Sequence, residues 1–373
     1  MRRNRLVLGV SALSVLAVTA AGCGSDSTSD ADGAEFEIKP VAGCTTGWTD
    51  PADLSPTRKA ARCDAGAPAP QPLEKSTKLT IAITNKSAEL IAPLVWGQKH
   101  GEFEKENLTL DIKVIPPADA LNLLASEKID AWLSSPDASF HNALSQDYDL
   151  KWVSGNYFES SESKSGLWAK AENATKLDGA SVGSAAGPGS VIMLPIATAL
   201  EEAGVSIKDV KVQQLPSADQ ITALQNGGTD ASWLLTPTWA QVADDPAYTF
   251  IGGQPAGEPL GGFIYGKELL KENPDVGRAL LRAYIRTVNT TFSGDYKKDP
   301  ALVAELAELL EVPAETLSAS PSLIIDWEIR KGTSERLQEI WHDLDALSYD
   351  DTIPESEVVD RSFYEAAVGH QGS

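Results

Sequence analysis

Four short polar segments in this chain carry residue types that suit a small guest molecule. They are Lys86-Ser87-Ala88-Glu89, Ser134-Ser135-Pro136-Asp137, Ala186-Gly187-Pro188-Gly189-Ser190 and Thr236-Pro237-Thr238-Trp239. Each opens a stretch that reads as a helix. A helix start leaves N–H groups without partners and carries about half a positive charge. Gly187 and Gly189 let backbone approach a ligand closely, and Ser190 can cap the helix or donate to the ligand. Lys86 adds positive potential, while Glu89 and Asp137 could meet a cationic amine or a ring N–H. Trp239, and Tyr157 within Asn156-Tyr157-Phe158, offer faces for stacking. Each has a plainer reading too. The hydroxyls cap helices, the acids favour helix starts, and Trp239 packs a core. Convergence of the four termini on one cleft would favour binding.

Two patterns could instead belong to enzymes. Gly179-Ala180-Ser181-Val182-Gly183 matches G-x-S-x-G, but a nucleophile elbow follows a strand, whereas Ser181 falls inside one. His342 or His370 could serve as base, yet nothing brings either near Ser181. Gly261 to Lys267 nearly matches a phosphate loop, but Glu268 stands where Ser or Thr should hold magnesium. Neither HExxH nor paired-Cys spacing occurs. The reading is therefore not an enzyme, with no metal or cofactor, and hydrolysis through Ser181 as a remote alternative.

Over the whole chain, 373 residues suggest two or three domains, and 42% hydrophobic residues can bury a sizeable core. A formal charge of −22 argues against nucleic acid and against docking to an anionic membrane by charge. Arg2, Arg3 and Arg5, an apolar run from Leu6 to Ala21, and Ala20-Ala21-Gly22-Cys23 describe a secretory signal over residues 1–22. The segment resembles a bacterial lipoprotein signal. That resemblance implies that Cys23 becomes the first mature residue, carries lipid and anchors the protein to the outer face of the cell membrane. An ordinary cleaved signal with Cys23 incidental is the alternative. Residues 24–33 read as a flexible acidic stalk. Cys44 and Cys63 form an even pair outside the cytoplasm, which favours a disulfide around Trp48 over a metal or redox site. Residues 65–72 (AGAPAPQP) read as a semi-rigid spacer, and the body begins near Lys78.

The elements that must position the four segments come in two copies. At an offset of 100, Pro116 matches Pro216, Ala118 matches Ala218, Asp119 matches Asp219, Leu124 matches Leu224, Asp130 matches Asp230 and Ala131 matches Ala231. Each copy reads strand, helix, strand, helix, strand. Alternation of this kind implies a mainly parallel sheet with right-handed crossovers. Chance similarity among Ala/Asp/Leu-rich helices is the alternative. The expectation is an α/β fold of two lobes, with residues 78–170 and 262–373 in the first and 171–261 in the second. Residues 23–77 form the linker. Leu167–Ala169 and Gly262–Tyr265 are expected as a two-strand hinge, and the late helices, including the stripe Leu337, Ile340, Trp341, Leu344 and Leu347, are expected to complete the first lobe. Ligands of open α/β sheets sit beyond the carboxyl ends of the strands, where helices begin.

The body from Lys78 to Ala367 resembles the periplasmic solute-binding proteins of nitrate, sulfonate and taurine ABC importers, a family that also includes binders of thiamine pyrimidine precursors. The resemblance is carried by Gln98-Lys99-His100-Gly101-Glu102-Phe103 with Glu106-Asn107-Leu108, similar to the family's "GFF…GL" turn. Ser126 to Ala131 resembles "GxxDA", Leu177 to Gly183 resembles "LKGKKVG", Gly187 to Ser190 occupies the Gly-Ser helix start, and Phe263 to Pro274 resembles the return strand and "NP" helix. Glu102 departs from the first aromatic of the turn, and the Cys44–Cys63 region is an addition. The resemblance implies a type II periplasmic-binding-protein-like fold and capture of a small solute by hinge closure. It also implies a monomer that hands the solute to an ABC permease and its ATPase. No Arg lies in the four loops, so a zwitterionic, taurine-like sulfonate or a nitrogen heterocycle fits better than nitrate. A lipid-anchored sensor using the same cleft is the second reading.

Overall fold

Two five-stranded sheets share one plan. The computed structural model describes residues 38–44, 55, 63–87, 89–236, 238–255 and 257–369. The chain first runs β1 (Thr77–Ile83), α1 (Ala92–Lys99), β2 (Leu108–Val114), α2 (Pro117–Ala125), β3 (Ala131–Ser134), α3 (Ala138–Leu144) and β4 (Leu150–Trp152). A short β5 (Tyr157–Phe158) leads to β6 (Gly166–Lys170), β7 (Ser181–Ser184), α4 (Met193–Glu202), β8 (Lys211–Gln214), α5 (Ser217–Asn226), β9 (Ala231–Leu234) and β10 (Tyr248–Gly253). The return is β11 (Gly262–Gly266), α6 (Pro274–Thr291), α7 (Pro300–Leu310), α8 (Ala314–Ser318), β12 (Ile324–Ile325), α9 (Thr333–Asp343), α10 (Glu355–Val358) and α11 (Ser362–Val368).

The first sheet has order β2-β1-β3-β11-β4, and the second β10-β6-β9-β7-β8. In each, the first strand of the repeat pairs in parallel with both neighbours (β1 with β2 and β3; β7 with β8 and β9). In each, one strand joins antiparallel after crossing from the other lobe: β11 beside β3, and β6 beside β9. Burial of Leu79, Ile81, Ala82 and Ile83 along β1 fits a parallel sheet clad with helices on its faces. The order of strands and helices makes this an α/β fold of two lobes.

The repeated residues do repeated work. Pro116 and Pro216 precede α2 and α5 with φ/ψ of −56/143 and −50/141. Asp130 Oδ2 accepts from the Thr80 N–H at 2.6 Å, and Asp230 Oδ2 from the Ser181 N–H at 2.8 Å. Each carboxylate thus ties a helix-to-strand turn to the strand that pairs on both sides.

Three placements differ from the sequence reading, and one departure from the family pattern finds its reason. Residues 166–170 pair in the second sheet, where β6 lies between β10 and β9. The crossings are therefore the largely irregular segments 153–165 and 254–261, not a pair of strands. Glycine is required there: a Cβ on Gly262 (φ +150) would lie 1.7 Å from Ser154 O, and one on Gly155 2.6 Å from Glu328 O. Secondly, α9 packs Leu337 and Trp341 against Val191 and Leu194, so it leans on the second lobe rather than only completing the first. Thirdly, segment 65–72 is docked rather than a free spacer. Asn289, Arg286 and Arg282 of α6 donate to the carbonyls of Ala67, Pro68 and Gln71. Lastly, the loop before β2 is pinned by buried charge: Arg286 meets Glu102 at 2.8 Å and Glu106 at 2.7 Å, and Arg282 meets Glu106 at 2.6 Å. This network explains Glu102 in place of an aromatic residue.

The Cys44–Cys63 disulfide is present. Cys23, the signal, the stalk and Trp48 lie outside the described residues. Among the described residues, no helix is long and apolar enough to cross a membrane.

Candidate functional site

The carboxyl ends of the central strands of both sheets face one crevice. β1 ends into Thr84 and Asn85, β3 into Ser134 and Ser135, and β9 into Leu235 and Thr236. Two adjoining cavities of about 220 Å³ each occupy this crevice. The first is lined from one lobe by Asn85, Leu90, Leu133, Ser134 and Ser135, and from the other by Ser190, Val191, Ile192, Pro195 and Trp233. Asn156, Tyr157, Glu159 and Ser165 on one crossing, with Gln254, Leu260 and Gly261 on the other, form its back. The second cavity continues past Leu90, Tyr157, Glu159 and Leu235 to Ser87, Glu89, Thr236 and the loop before β12. A concave, mainly apolar space with a few converging polar groups is the usual form of a small-molecule site.

Of the residues singled out in sequence, Ser134, Ser135, Asn156, Tyr157 and Ser190 line the first cavity. Ser87, Glu89, Thr236 and again Tyr157 line the second. The others do not line either. Lys86 points to Glu311 on the surface, at 2.8 Å. Trp239 packs with Ile221, Leu224, Leu234 and Val242 inside the second lobe, its indole N–H donating to Thr236 Oγ1 at 3.1 Å. Thr238 opens the same short helix. Gly187 faces Gln214, and a Cβ there would lie 3.2 Å from Gln214 Oε1.

Asp137 and Gly189 serve instead to join the lobes. Asp137 Oδ1 accepts from the Val191 N–H at 2.9 Å, and Gly189 O accepts from the Ala138 N–H at 2.8 Å. A Cβ on Gly189 would come within 3.1 Å of Ala138 Cβ, so glycine permits this approach. Trp341 strengthens the junction by donating to Ser190 O at 3.1 Å. Burial pushes the Asp137 carboxyl up to about 6, against the Val191 hydrogen bond. One turn on, burial pushes the His141 imidazole down to about 4. The consequence for ligands is direct. The turn leading into α4 has its donors engaged: the Val191 N–H meets Asp137, Ile192 meets Ser190 Oγ, and Met193 meets Ser190 O. The helix start that its sequence suits to an anion already holds one, supplied by the opposite lobe.

Charge inside the crevice is distinctive. Among the described residues, neither cavity lining contains Lys, Arg or His. Glu89 is paired with Lys297 at 2.7 Å and accepts from the Tyr296 hydroxyl. Burial raises its carboxyl above the ordinary range despite both partners. Glu159 lines both cavities, and its hydrogen bonds come from Ser163 and Ser165. Sequence reading missed Glu159 because ESSES (residues 159–163) looks like a solvated turn. It also missed Trp233 and Asn85. The one available signal for Asn85 was its place just after the first strand.

The crossings are strapped from outside. Asp326 N donates to Asn156 O at 2.9 Å, and Arg330 Nε to Gly257 O at 2.6 Å, so one C-terminal segment holds both. Neither enzyme pattern forms a catalytic site. Ser181 Oγ donates to Asp230 at 2.8 Å, at the start of β7 and away from the crevice. Lys267 of the near phosphate loop is paired with Glu272 on the surface.

The same fold occurs in solved binding proteins. The periplasmic aliphatic sulphonate binding protein SsuA from Escherichia coli is 16% identical, with TM-score 0.55 over 76% of this chain and 92% of that one. The alkanesulfonate-binding protein SsuA from Xanthomonas axonopodis pv. citri, bound to MOPS, is 15% identical, with TM-score 0.55 over 78% and 100% of the two chains. The periplasmic nitrate-binding protein NrtA from Synechocystis PCC 6803 is 14% identical, with TM-score 0.52 over 80% and 89%. At these identities the likeness is one of fold. No curated protein matches the chain in sequence. The family described as NMT1/THI5 like matches residues 89–293, from the helical turn before α1 to just past the end of α6. That stretch exceeds half of the 373 residues, and the chain belongs to the NMT1/THI5-like family.

Proposed function

We propose that this protein is the extracytoplasmic solute-binding lipoprotein of an ABC importer. It captures a small organic solute between its lobes and presents the closed form to a permease and its ATPase. It acts as a monomer and a binding protein, with no covalent chemistry. Residues 23–77 tether it through lipid on Cys23, with segment 63–77 held against the first lobe. The observation that carries this reading is the interlobe cavity at the carboxyl ends of both sheets, backed by both crossings. Closure would replace water by Asn85, Ser134, Asn156 and Trp233, and a solute favours the closed state by its extra contacts there. Of the two ligand classes suggested by sequence, the lining supports a nitrogen heterocycle over a sulfonate. It has apolar walls, amide and hydroxyl groups and the Glu159 carboxyl but, among the described residues, no basic side chain.

Calorimetry with taurine, alkanesulfonates, nitrate and pyrimidines tests the reading. One-site binding of a pyrimidine is expected, lost when Ser135→Trp fills the cavity. Binding to nitrate alone, or binding that survives Ser135→Trp, would contradict it. Cys23→Ser should release the protein from the membrane fraction.

A further inference from the structure

Among the described residues, the crevice holds one carboxylate, Glu159, with no ion pair of its own. Glu159 sits on the first crossing, where the two cavities join, between Leu90 of one lobe and Leu235 of the other. Among the described residues it has no ion-pair partner. Its hydrogen bonds come from Ser163 and Ser165, the latter shared with Thr236 Oγ1 at 3.1 Å. Hydroxyls do not cancel a charge, and a carboxylate has about four acceptor sites, so two strong donors leave room for more.

The surrounding charges are committed elsewhere. Lys297 is spent on Glu89 at 2.7 Å, on Ser320 Oγ at 2.9 Å and on Pro321 O at 3.0 Å. Lys86 faces Glu311, and Asp137 holds the Val191 N–H. Once the Glu89–Lys297 pair is counted as neutral, the crevice carries one surplus negative charge whenever Glu159 is ionised. Burying a carboxylate without a cation costs free energy and raises its pKa, and perturbed titratable groups in a cleft gather at functional sites. Burial accordingly holds the Glu159 carboxyl above the ordinary range, with Glu89 pushing the same way and the two serines and Lys297 opposing.

We infer that the solute is a small organic cation, an amidinium, ammonium or protonated nitrogen heterocycle, whose charged nitrogen meets Glu159 at the junction of the two cavities. This rests on the solute-binding reading above. The flat body lies against Trp233, Leu133 and Tyr157, and Asn85 and Asn156 flank it with polar groups. Because Glu159 is on a crossing, the ion pair forms where the lobes pivot, so binding the charge and closing the lobes are one event. The same alignment explains why the α4 start holds Asp137: an anionic solute finds its donors there engaged.

Three pools of size-matched solutes test the charge. The cationic pool contains benzamidine and 1-methylnicotinamide, the neutral pool benzamide and nicotinamide, and the anionic pool benzoate, nicotinate and benzenesulfonate. The cationic pool should raise the melting temperature of the wild-type protein. Its best member should bind about tenfold or more tightly than its neutral counterpart. Affinity should rise with pH as the Glu159 carboxyl ionises. Glu159→Gln should erase the preference while melting, unliganded, at the same temperature or higher, since a buried charge is removed. A neutral or anionic pool that binds alone, unaffected by Glu159→Gln, would overturn the cation inference and leave solute binding standing. So would a Glu159→Gln protein that melts lower yet keeps the cationic preference, because Glu159 would then be structural. No response to any pool would count against both.

Discussion

Asp130 and Asp230 occupy equivalent turns and hold equivalent strands, yet the lobes around them are built differently. In the first lobe the apolar core extends from the sheet to α6, α7 and α11. Its edge is fastened by Arg282 and Arg286 to Glu102 and Glu106. In the second, the main core rests on α4 and the turns beside it, with Ile340 of α9 and Leu344 just past its end leaning in. A duplicated sheet therefore sits once in a rigid frame and once in a light one. The light lobe takes part of its cover from a helix that follows the return to the first. The difference teaches that the two lobes are held to each other from two sides: by the strapped crossings, and by Asp137, Gly189 and Trp341.

The largest expected effect breaks the frame of the first lobe. Glu106→Gln leaves two buried guanidinium groups short of a carboxylate, and denaturant unfolding should show a loss of roughly 3–5 kcal/mol. A loss below about 1 kcal/mol would mean the network is solvated and the lobes are framed alike.

The second concerns pH at the Asp137 junction. His141 has a folded pKa near 4 against an ordinary 6.5, so the unfolded chain binds more protons between these values. Its contribution is present above pH 6.5 and lost as pH falls towards 4. Asp137 has the opposite sign: with a folded pKa near 6 against 3.8, its contribution is present below pH 3.8 and lost as pH rises to 6. Each is worth roughly 3 kcal/mol at most, so they largely cancel between pH 4 and 6. Melting scans should show Asp137→Asn more acid-sensitive than wild type, and His141→Gln losing stability from pH 4 to 6. Identical profiles for all three proteins would remove both groups from the junction.

A smaller effect tests the equivalence of the lobes. Asp130→Ala and Asp230→Ala should each cost about 1–3 kcal/mol, because each leaves a strand N–H without its acceptor. Asp230→Ala should be the worse, since its bond from Ser181 Oγ is lost as well. A silent substitution at either would reduce the duplication to a coincidence of letters. The smallest is Gly189→Ala. Its Cβ would press on Ala138 across the junction, so solute affinity should fall several-fold while the melting temperature stays within a few degrees. An unchanged affinity would show that the lobes need not meet there.

The repeat was legible because its identical residues do identical jobs, and a proline that opens a helix or an aspartate that ties a strand leaves a local mark. What sequence could not supply is allegiance across space. Leu167-Trp168-Ala169 announces a strand but not which sheet it joins. The stripe Leu337 to Leu347 announces a buried face but not which lobe covers it. Trp239 and Trp233 look alike as letters, and only the fold leaves Trp239 half-buried beside Val242 while Trp233, buried in the second core, also reaches the cavity wall. Ala65 to Pro72 reads as a spacer because its docking groups are carbonyls, which every residue has. The signal lay instead in Arg282 and Arg286, one turn apart on α6.

Solute capture is tested most directly by native mass spectrometry of the protein isolated under mild conditions from the cells that make it. One bound solute per chain is predicted, basic in character, released on unfolding and missing from the Ser135→Trp protein. An acidic solute, or one retained after that crevice is filled, would contradict it.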